Sequence, residues 1–452
     1  MAMTDEERSS LYDLIENKKF KRLKEELCDM NEVDIADLIG ELSPEITLVL
    51  FRLLPKDLSS EVFACLEIEQ QRTIINSIED RELHQIIEDL AIDDAVDMVE
   101  ELPASVVKRI LKAATPATRS LINQYLQYPD NSAGSIMTAE YVALRPAMTV
   151  EESFAYIRKN GVDKETIYTC YVITPSRKLL GVVTLKDLLM NPYETIVEDI
   201  MDDNIIIAHT TDDQEEVAST FSKYDLLALP VVDREERLVG IVTVDDIVDV
   251  MEQEATEDFQ KMAAMAPSEK EYLKTSVFSL AWNRIPWLLV LMLSSMVSGF
   301  ILNHYETAFA AVPLLVTFIP TLMDTGGNSG SQASTLIIRG LAVDEIEPTD
   351  ILKVIWKELR VGLICGIVLA GINFVRLLIQ YPGNTLICGL VAISMFLTIM
   401  LAKTLGAILP MAAKAMKLDP ALMASPMLTT IVDACSMVIY FTLASRILHL
   451  AV

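Results

Sequence analysis

Long uncharged segments follow residue 280 and restrict what this part of the chain can fold into. Apolar segments occupy 285–302, 308–323, 361–379, 385–402 and 421–445, the third interrupted by Arg376 and the fourth extending to Pro410. Several have 18 or more residues, which is enough for a helix to cross a hydrocarbon core of about 30 Å. The sequence therefore predicts a polytopic α-helical membrane domain with five spans over residues 276–452.

Basic residues between these segments predict the orientation of the domain. The loops "NHYET" and "QYPGN" contain no lysine or arginine, and the loops on the other side are basic. The basic residues are Lys270, Lys274, Arg284, Arg339, Lys353, Lys357, Arg360, Lys414 and Lys417. Because basic loops remain in the cytosol, and because the first residues, "MAMTDEERSS", do not resemble a cleaved signal, we expect a cytosolic N-terminus. Five spans then leave the C-terminus outside.

The net charge of −28 is concentrated in the first 280 residues. An acidic surface of this kind repels nucleic acid and attracts cations. The six cysteines and four histidines are dispersed, with no CxxC or HExxH motif, so we expect neither disulfides nor zinc chemistry. The sequence also lacks a GK[ST] phosphate loop, and we expect that the protein is not an enzyme.

Residues 1–130 are predicted to form an all-α superhelical N domain. Apolar residues recur three and four positions apart in "EVDIADLIGEL" and "LHQIIEDLAIDDAVDMVEELP". Short corners such as "LSPE" and "LPAS" separate these runs and suit helix starts.

Residues 131–250 contain a tandem repeat, with copies at about 131–195 and 196–250. "LLGVVTLKDLLM" at 179–190 matches "LVGIVTVDDIVDVM" at 238–251, and an apolar strand-like run precedes each. These βαββα units resemble an α/β CBS-domain pair. That resemblance makes Thr184, Asp187, Thr243 and Asp246 candidate ligands of an adenine nucleotide such as ATP. The alternative is that they only cap the following helices.

Residues 251–275 are predicted to form an amphipathic helix that connects the CBS pair to the first span. Met251, Ala255, Phe259 and Met262 lie on one side of this helix. It is either a simple connector or, directly before a membrane domain, part of a gate.

Asp433 lies in the middle of the last apolar segment. An acid inside a membrane helix costs roughly 2.5–3.5 kcal/mol even on insertion scales, and such residues are functional by default. With Asp419 as N-cap and Pro420 as the first helical residue, Asp433 is placed close to the bilayer midplane. Its partner is Lys403 in span four, a proton, or a mobile cation.

Polar and small residues in "PTLMDTGGNSGSQAST", 320–335, follow the second apolar segment. This stretch is predicted at the cytosolic end of span two. It fits either close helix packing or a broken helix that exposes carbonyl groups.

With these motifs, the chain resembles the MgtE family of magnesium channels. The resemblance covers nearly the whole sequence, and "GGNSGSQ" at 326–332 and "DPALMASP…TTIVD" at 419–433 carry it most specifically. It implies a homodimer in a bacterial inner membrane, with the connecting helix as a plug. It also implies a pore in which Asp433, Thr429, Thr430, Asn328 and Asp419 recognise hydrated Mg²⁺. Mg²⁺ is a hard cation that dehydrates reluctantly, so one carboxylate and several neutral oxygens suffice.

The resemblance further implies that cytosolic Mg²⁺ closes the channel by bridging carboxylates of the N, CBS and plug elements. The candidate ligands are Asp93, Asp94, Asp97, Asp225, Asp246, Asp249, Glu254, Glu257 and Asp258. For each acid the alternative is a solvated helix face.

Two other function classes fit some of the same features. In a CBS-regulated membrane receptor the spans only anchor the protein, and in a proton-coupled transporter Asp433 carries a proton together with Co²⁺, Ni²⁺ or Mn²⁺. Flux through purified protein separates these from a magnesium channel.

Overall fold

The computed structural model describes residues 5–162, 164–268, 272–273, 275–343, 345–423 and 425–449. The chain divides into two compact units, Met1–Val250 and Met251–Val452. Lys270 and Lys274, which contribute to the predicted orientation, lie outside the described residues.

The N-terminal part of the first unit is a succession of short helices. Local signals start them: Oδ1 of Asn31 accepts a hydrogen bond from the backbone N–H of Val33 over 3.0 Å, and Pro44 and Pro116 occupy the first helical positions. The helices are α1 Asp5–Glu16, α2 Phe20–Cys28, α3 Glu32–Gly40, α4 Pro44–Phe51, α5 Lys56–Ala64, α6 Ile68–Ser77, α7 Asp80–Asp89, α8 Ile92–Glu101, α9 Ala104–Ala113 and α10 Pro116–Tyr125. The predicted all-α N domain is confirmed.

Two three-stranded sheets follow in the first unit and have the same topology, and the helix after the second sheet continues past Val250. In each sheet the first strand is parallel to the second, which is antiparallel to the third. The elements are β1 Tyr141–Leu144, α11 Val150–Asn160, β2 Thr166–Ile173, β3 Leu179–Thr184, α12 Leu185–Met190, α13 Val197–Ile200, β4 Ala208–His209, α14 Gln214–Tyr224, β5 Ala228–Val232, β6 Leu238–Thr243 and α15 Val244–Met262. The predicted tandem α/β repeat is confirmed.

Helix α15 corrects the prediction of a separate connecting helix beginning at residue 251. The helix that follows β6 continues without interruption through 19 residues, so the second CBS helix and the connector are one element. The run contains no glycine or proline that would end it.

The second unit is a bundle of long helices joined by short turns. Its helices are α16 Val277–His304, α17 Glu306–Ala311, α18 Ile319–Ala342, α19 Ile351–Gln380, α20 Thr385–Ala415 and α21 Ser425–Leu448, with 3-10 turns at Pro313–Phe318, Pro348–Asp350 and Pro420–Met423. Four described stretches are long and apolar enough to cross a bilayer: Val277–His304, Pro348–Gln380, Thr385–Ala415 and Pro420–Leu448. The fifth predicted span is not confirmed.

The second apolar segment was placed wrongly by the sequence prediction. Residues 308–323 do not form one helix, because α17, a 3-10 turn and the start of α18 share them. The polar "GGNSGSQ" stretch lies inside the continuous helix α18, and so it neither follows a span nor breaks a helix. Because of these polar residues, the 24-residue helix α18 is not one of the four stretches that are apolar enough to cross a bilayer.

Candidate functional site

Glycines of α18 bring three helices into close contact. A Cβ atom at Gly326 would lie 2.6 Å from Cγ2 of Thr398 on α20 and 3.0 Å from Cγ1 of Val432 on α21. A Cβ atom at Gly327 would lie 3.0 Å from Cγ2 of Thr429. Of the two interpretations of the glycine stretch, close packing is therefore the one found, and it sets α18 directly against the helix that carries Asp433.

A polar stripe on α18 lies beside Asp433. Asp324 and Asn328 are four residues apart and both exposed, so they occupy one face of the helix. The charge of Asp324 acts on the half-buried Asp433 of α21. Asn328 was a predicted site residue, but Asp324 was missed. Its four-residue spacing from Asn328 was the available signal, and the wrong boundary of span two concealed it.

Thr429 and Thr430 direct their hydroxyl groups to the same backbone carbonyl. Each hydroxyl donates to the oxygen of Pro426, over 3.0 Å and 2.9 Å respectively. Because the hydroxyl hydrogens are used in this way, the remaining lone pairs of both oxygens act as acceptors. The two predicted threonines thus supply acceptor oxygens one turn before Asp433.

Lys403 is not the partner of Asp433. In the described residues its Nζ donates to Oε1 of Gln332 over 3.4 Å, and its side chain is 5% exposed. No ion pair joins Lys403 to Asp433 in the part of the chain that the structure describes. The structural ion pair considered for Asp433 is therefore not found, and a proton or a mobile cation remains.

Asp419 caps the turn before α21 rather than α21 itself, and its pore role stays a prediction. It accepts from the N–H of Ala421 over 2.8 Å and caps a 3-10 turn, and α21 begins only at Ser425. Asp433 is about 12 Å from the start of α21 and lies at the middle of the apolar stretch Pro420–Leu448. The other carboxylate oxygen of Asp419 pairs with Nζ of Lys261 on α15 over 2.7 Å.

Lys261 forms ion pairs with two acids near the end of α15. Its Nζ also lies 2.5 Å from Oε1 of Glu257. Burial works against the charge of Lys261, but hydrogen bonds to Asp419 and Glu257 outweigh it and raise the pKa. Burial and the charge of Asp419 raise the pKa of Asp258, and Glu254 acts on it as well. The sequence identified these acids but not the lysine among them, because only the tertiary fold shows that contact.

The acids of α8 form a second group, within the first unit. Burial first and the charge of Asp94 second raise the pKa of Asp93 to about 8 and that of Asp97 to about 7. The charge of Asp246, at the start of α15, acts on both. The Oδ1 atom of Asp93 is buried without a hydrogen-bond partner among the described residues. Glu165, which was not predicted, also faces this group, and burial raises its pKa.

Two other predicted metal ligands, Asp225 and Asp249, are exposed to solvent. Asp225 is exposed and ends α14 with a left-handed backbone, at φ 53°. Asp249 is exposed on α15, three residues after Asp246. In the described ranges, no three His, Cys, Asp or Glu side chains are arranged to hold a metal ion. The acids are therefore close enough to repel one another without forming a complete ligand set.

The predicted nucleotide ligands take part in helix caps. The Thr184 hydroxyl accepts from the N–H of Asp187, and Oδ2 of Asp187 accepts from the N–H of Thr184, which makes a capping box. The hydroxyl also donates to Oδ2 of Asp187 over 2.5 Å. In the second repeat, Thr243 donates to Oδ2 of Asp246 over 2.6 Å. These residues thus take part in helix-start contacts, and the nucleotide role stays a prediction.

A helical N domain, a CBS pair and an apolar helical unit containing a carboxylate and hydroxyl stripe are the features of a membrane cation transporter. The chain matches the MgtE divalent cation transporter family over residues 319–443, the MgtE intracellular N domain over 30–131, and the CBS domain over 133–193 and 197–253. It is 36% identical to the magnesium transporter MgtE of Thermus thermophilus, covering 97% of this chain and 98% of the relative. The magnesium transporter MgtE of Bacillus subtilis is 31% identical, covering 96% of each.

Solved structures match the first half of the chain. The cytosolic domain of the Mg²⁺ channel MgtE in complex with ATP is 38% identical, with a TM-score of 0.51, covering 54% of this chain and 99% of that one. The soluble part of a magnesium transporter is 30% identical, with a TM-score of 0.53, covering 56% and 99%. The chain belongs to the MgtE family of magnesium transporters. It is an integral membrane protein, and the full-length relatives are transporters rather than enzymes.

Proposed function

We propose that the protein conducts hydrated Mg²⁺ into the cell along the polar stripe of α18 and α21. The observation that carries this proposal is the position of Asp433, which has the Thr429 and Thr430 oxygens one turn before it and the exposed Asp324 and Asn328 on the adjoining helix. A carboxylate with neutral oxygens can hold the water shell of Mg²⁺ without stripping it.

The exposure of this stripe supports a homodimer. Charged and amide side chains on a membrane helix face a protein interior or a water-filled cavity rather than lipid. Asp324 and Asn328 are exposed in the single chain. A second copy that covers the stripe would enclose an aqueous path between two sets of acids, with the N-terminus of each copy in the cytosol.

Mg²⁺ flux into proteoliposomes tests the proposed conduction. The Asp433→Asn variant keeps the shape of the side chain and removes its charge, and we expect flux to fall to the background of protein-free vesicles. Asp350→Asn is the matched control, because Asp350 belongs to a turn of the same unit and pairs with Lys353. Native flux in Asp433→Asn, or flux that requires a pH gradient, would contradict a channel with Asp433 in its path.

We further propose that cytosolic Mg²⁺ closes the channel by binding the two acidic groups. After burial, the charge of Asp246 helps to raise the pKa of Asp93 and Asp97 in one group, and the charges of Asp419 and Glu257 help to raise the pKa of Asp258 in the other. Two carboxylates about 4 Å apart repel by roughly 4 kcal/mol at an effective dielectric near 20, and a divalent cation removes this repulsion. Flux measured against Mg²⁺ on the cytosolic side should fall with concentration in the native chain and persist in an Asp93→Asn/Asp97→Asn variant.

We propose ATP as a ligand of the CBS pair. Support comes from the 38% identical cytosolic domain that was solved in complex with ATP. Thermal shift of the native protein with ATP tests this, with Asp187→Asn as the variant. An equal shift in the variant would place ATP away from Asp187.

A further inference from the structure

Two residues of opposite charge, Lys403 and Glu358, are buried inside the membrane unit, and among the described residues neither forms an ion pair. Lys403 of α20 is 5% exposed, and in the part of the chain that the structure describes its Nζ reaches only the neutral Oε1 of Gln332, over 3.4 Å. Glu358 of α19 is 8% exposed, and its Oε2 has no hydrogen-bond partner among the described residues. Buried charges of this kind are paired in membrane proteins.

Helix packing places the two residues at the same level of the bundle. A Cβ atom at Gly362 of α19 would lie 3.5 Å from Cβ and 3.6 Å from Cγ of Lys403. Val354, two turns earlier on α19, packs in one cluster with Ala407 and Met411 of α20. Glu358 lies four residues from both Val354 and Gly362 and is therefore on the same helix face. Glu358 therefore lies at the interface with α20, between the levels of Lys403 and Ala407. No ion pair joins the two side chains among the described residues, so the pairing requires a change of side-chain rotamer, which a long lysine side chain allows.

We propose that Glu358 is the counter-ion of Lys403, and that Lys403, held in this way, positions Gln332 and with it the polar face of α18. Gln332 lies four residues after Asn328 on that helix. Lys403 is thus a positioning residue that acts through Gln332, and Glu358 keeps its charge compensated. The positioning part rests on the proposed conduction along α18, and the ion pair does not.

The ion pair is tested by a double-mutant cycle on the full-length protein in detergent. Lys403→Met and Glu358→Gln each leave one buried charge without compensation, and we expect each to lower Tm by roughly 10 °C. In the double variant both charges are absent, and Tm should return to within a few degrees of native. Lys357→Met, at the exposed neighbour of Glu358, is the matched control and should leave Tm unchanged. Additive losses in the double variant would show that the residues are not counter-ions.

The charge-swapped variant, Lys403→Glu with Glu358→Lys, covers the case in which a single variant does not fold. Recovery of folded protein by the swap supports the pair. Failure of both the swap and the Lys403→Met/Glu358→Gln variant to fold overturns it.

Positioning through Gln332 is tested by the Mg²⁺ dependence of flux in proteoliposomes. Gln332→Met keeps the ion pair but loses the hydrogen bond, and the Lys403→Met/Glu358→Gln variant loses it at near-native stability. Both should change the half-saturating Mg²⁺ concentration severalfold, which a purely structural pair would not do. Native values in both variants would overturn the positioning role. A failure of the proposed conduction is distinguishable, because it appears as native flux in Asp433→Asn whatever the outcome of the cycle.

Discussion

Carboxylates occur in both units of this protein, but their surroundings differ. On α8, Asp93, Asp94 and Asp97 lie on three of five consecutive positions, and burial raises the pKa of each. In the membrane unit, Asp433 and Asp324 come from different helices and lie beside hydroxyl and amide oxygens. A crowded group stores repulsion that a bound cation relieves, which suits a sensor. A sparse group holds a cation weakly enough to release it, which suits a conduction path.

The largest expected effect concerns the crowded group. In metal-free buffer, a fragment of residues 1–262 should lose stability as pH rises from about 4 to about 8. Asp93 and Asp97 have folded-state pKa values of about 8 and about 7, above their unfolded value of 3.8, so the folded state binds more protons across this range. Their contribution is present below pH 4 and is lost as pH rises through these values, at about 1.4 kcal/mol for each unit of pKa difference.

Circular dichroism melts at several pH values measure this loss, which should amount to several kcal/mol. Asp93→Asn/Asp97→Asn should flatten the pH dependence, and Mg²⁺ should stabilise the native fragment most at pH 8. A pH-independent Tm in the native fragment would show that the pKa values of Asp93 and Asp97 are not raised in the folded state.

The next effect concerns the helix contacts that position the sparse group. Gly326→Ala places a methyl group 2.6 Å from Thr398 and should cost about 1–3 kcal/mol through overpacking. Gly371→Ala is the control, because nothing lies within 4 Å of its added Cβ, and it should gain roughly 0.5–1 kcal/mol from helix propensity. Thermal unfolding in detergent compares the two, and equal Tm values would argue against the tight packing of α18.

A smaller effect is expected from the second carboxylate of the stripe. Asp324→Asn should raise the half-saturating Mg²⁺ concentration of flux about tenfold, equivalent to about 1.4 kcal/mol, because one of the two charges that attract the cation is removed. Asp324→Glu keeps the charge and is the control. If Asp324→Asn behaves as native, Asp433 acts without it.

The smallest effect is expected at the end of α15. Lys261→Met leaves Glu257 and Asp419 without their ion-pair partner, at a cost of about 1 kcal/mol for such a partly exposed pair. In Mg²⁺-free buffer Tm should fall by a few degrees, and added Mg²⁺ should restore it by replacing the lost positive charge. Lys414→Met, an exposed lysine of the same unit, should change neither value. A Tm loss that Mg²⁺ does not reverse would indicate that Lys261 only packs.

Sequence analysis was most successful where local pattern determines structure. The repeat around Thr184 and Thr243 predicted both sheets, and the spacing of Thr429, Thr430 and Asp433 predicted a common helix. Boundaries failed where hydropathy was the only guide, because α18 is a polar and glycine-rich helix held by neighbours rather than by its own apolar surface. Asp324 was missed for this reason.

Contacts between side chains of different helices could not be predicted from the sequence either. Lys403 was considered as the partner of Asp433 because both are charges in apolar segments, but its position on α20 directs it to Gln332. Likewise, "IDDAVD" identified acids, whereas the raised pKa of Asp93 depends on burial beneath other elements and on the charge of Asp246. Contacts of this kind depend on tertiary geometry, which a one-dimensional pattern does not record.

The hydroxyl groups of Thr429 and Thr430 have a consequence for the sign of the ion. Both hydroxyls donate to the Pro426 carbonyl, so near Asp433 their oxygen atoms act as hydrogen-bond acceptors. The water molecules around a dissolved cation point their hydrogens outward and donate to such a surface, whereas those around an anion point their oxygens outward and require donors. Because the hydroxyls of this helix donate to its own backbone, the stripe can distinguish a hydrated cation from a hydrated anion by the orientation of the water molecules alone. No direct contact with the ion is needed.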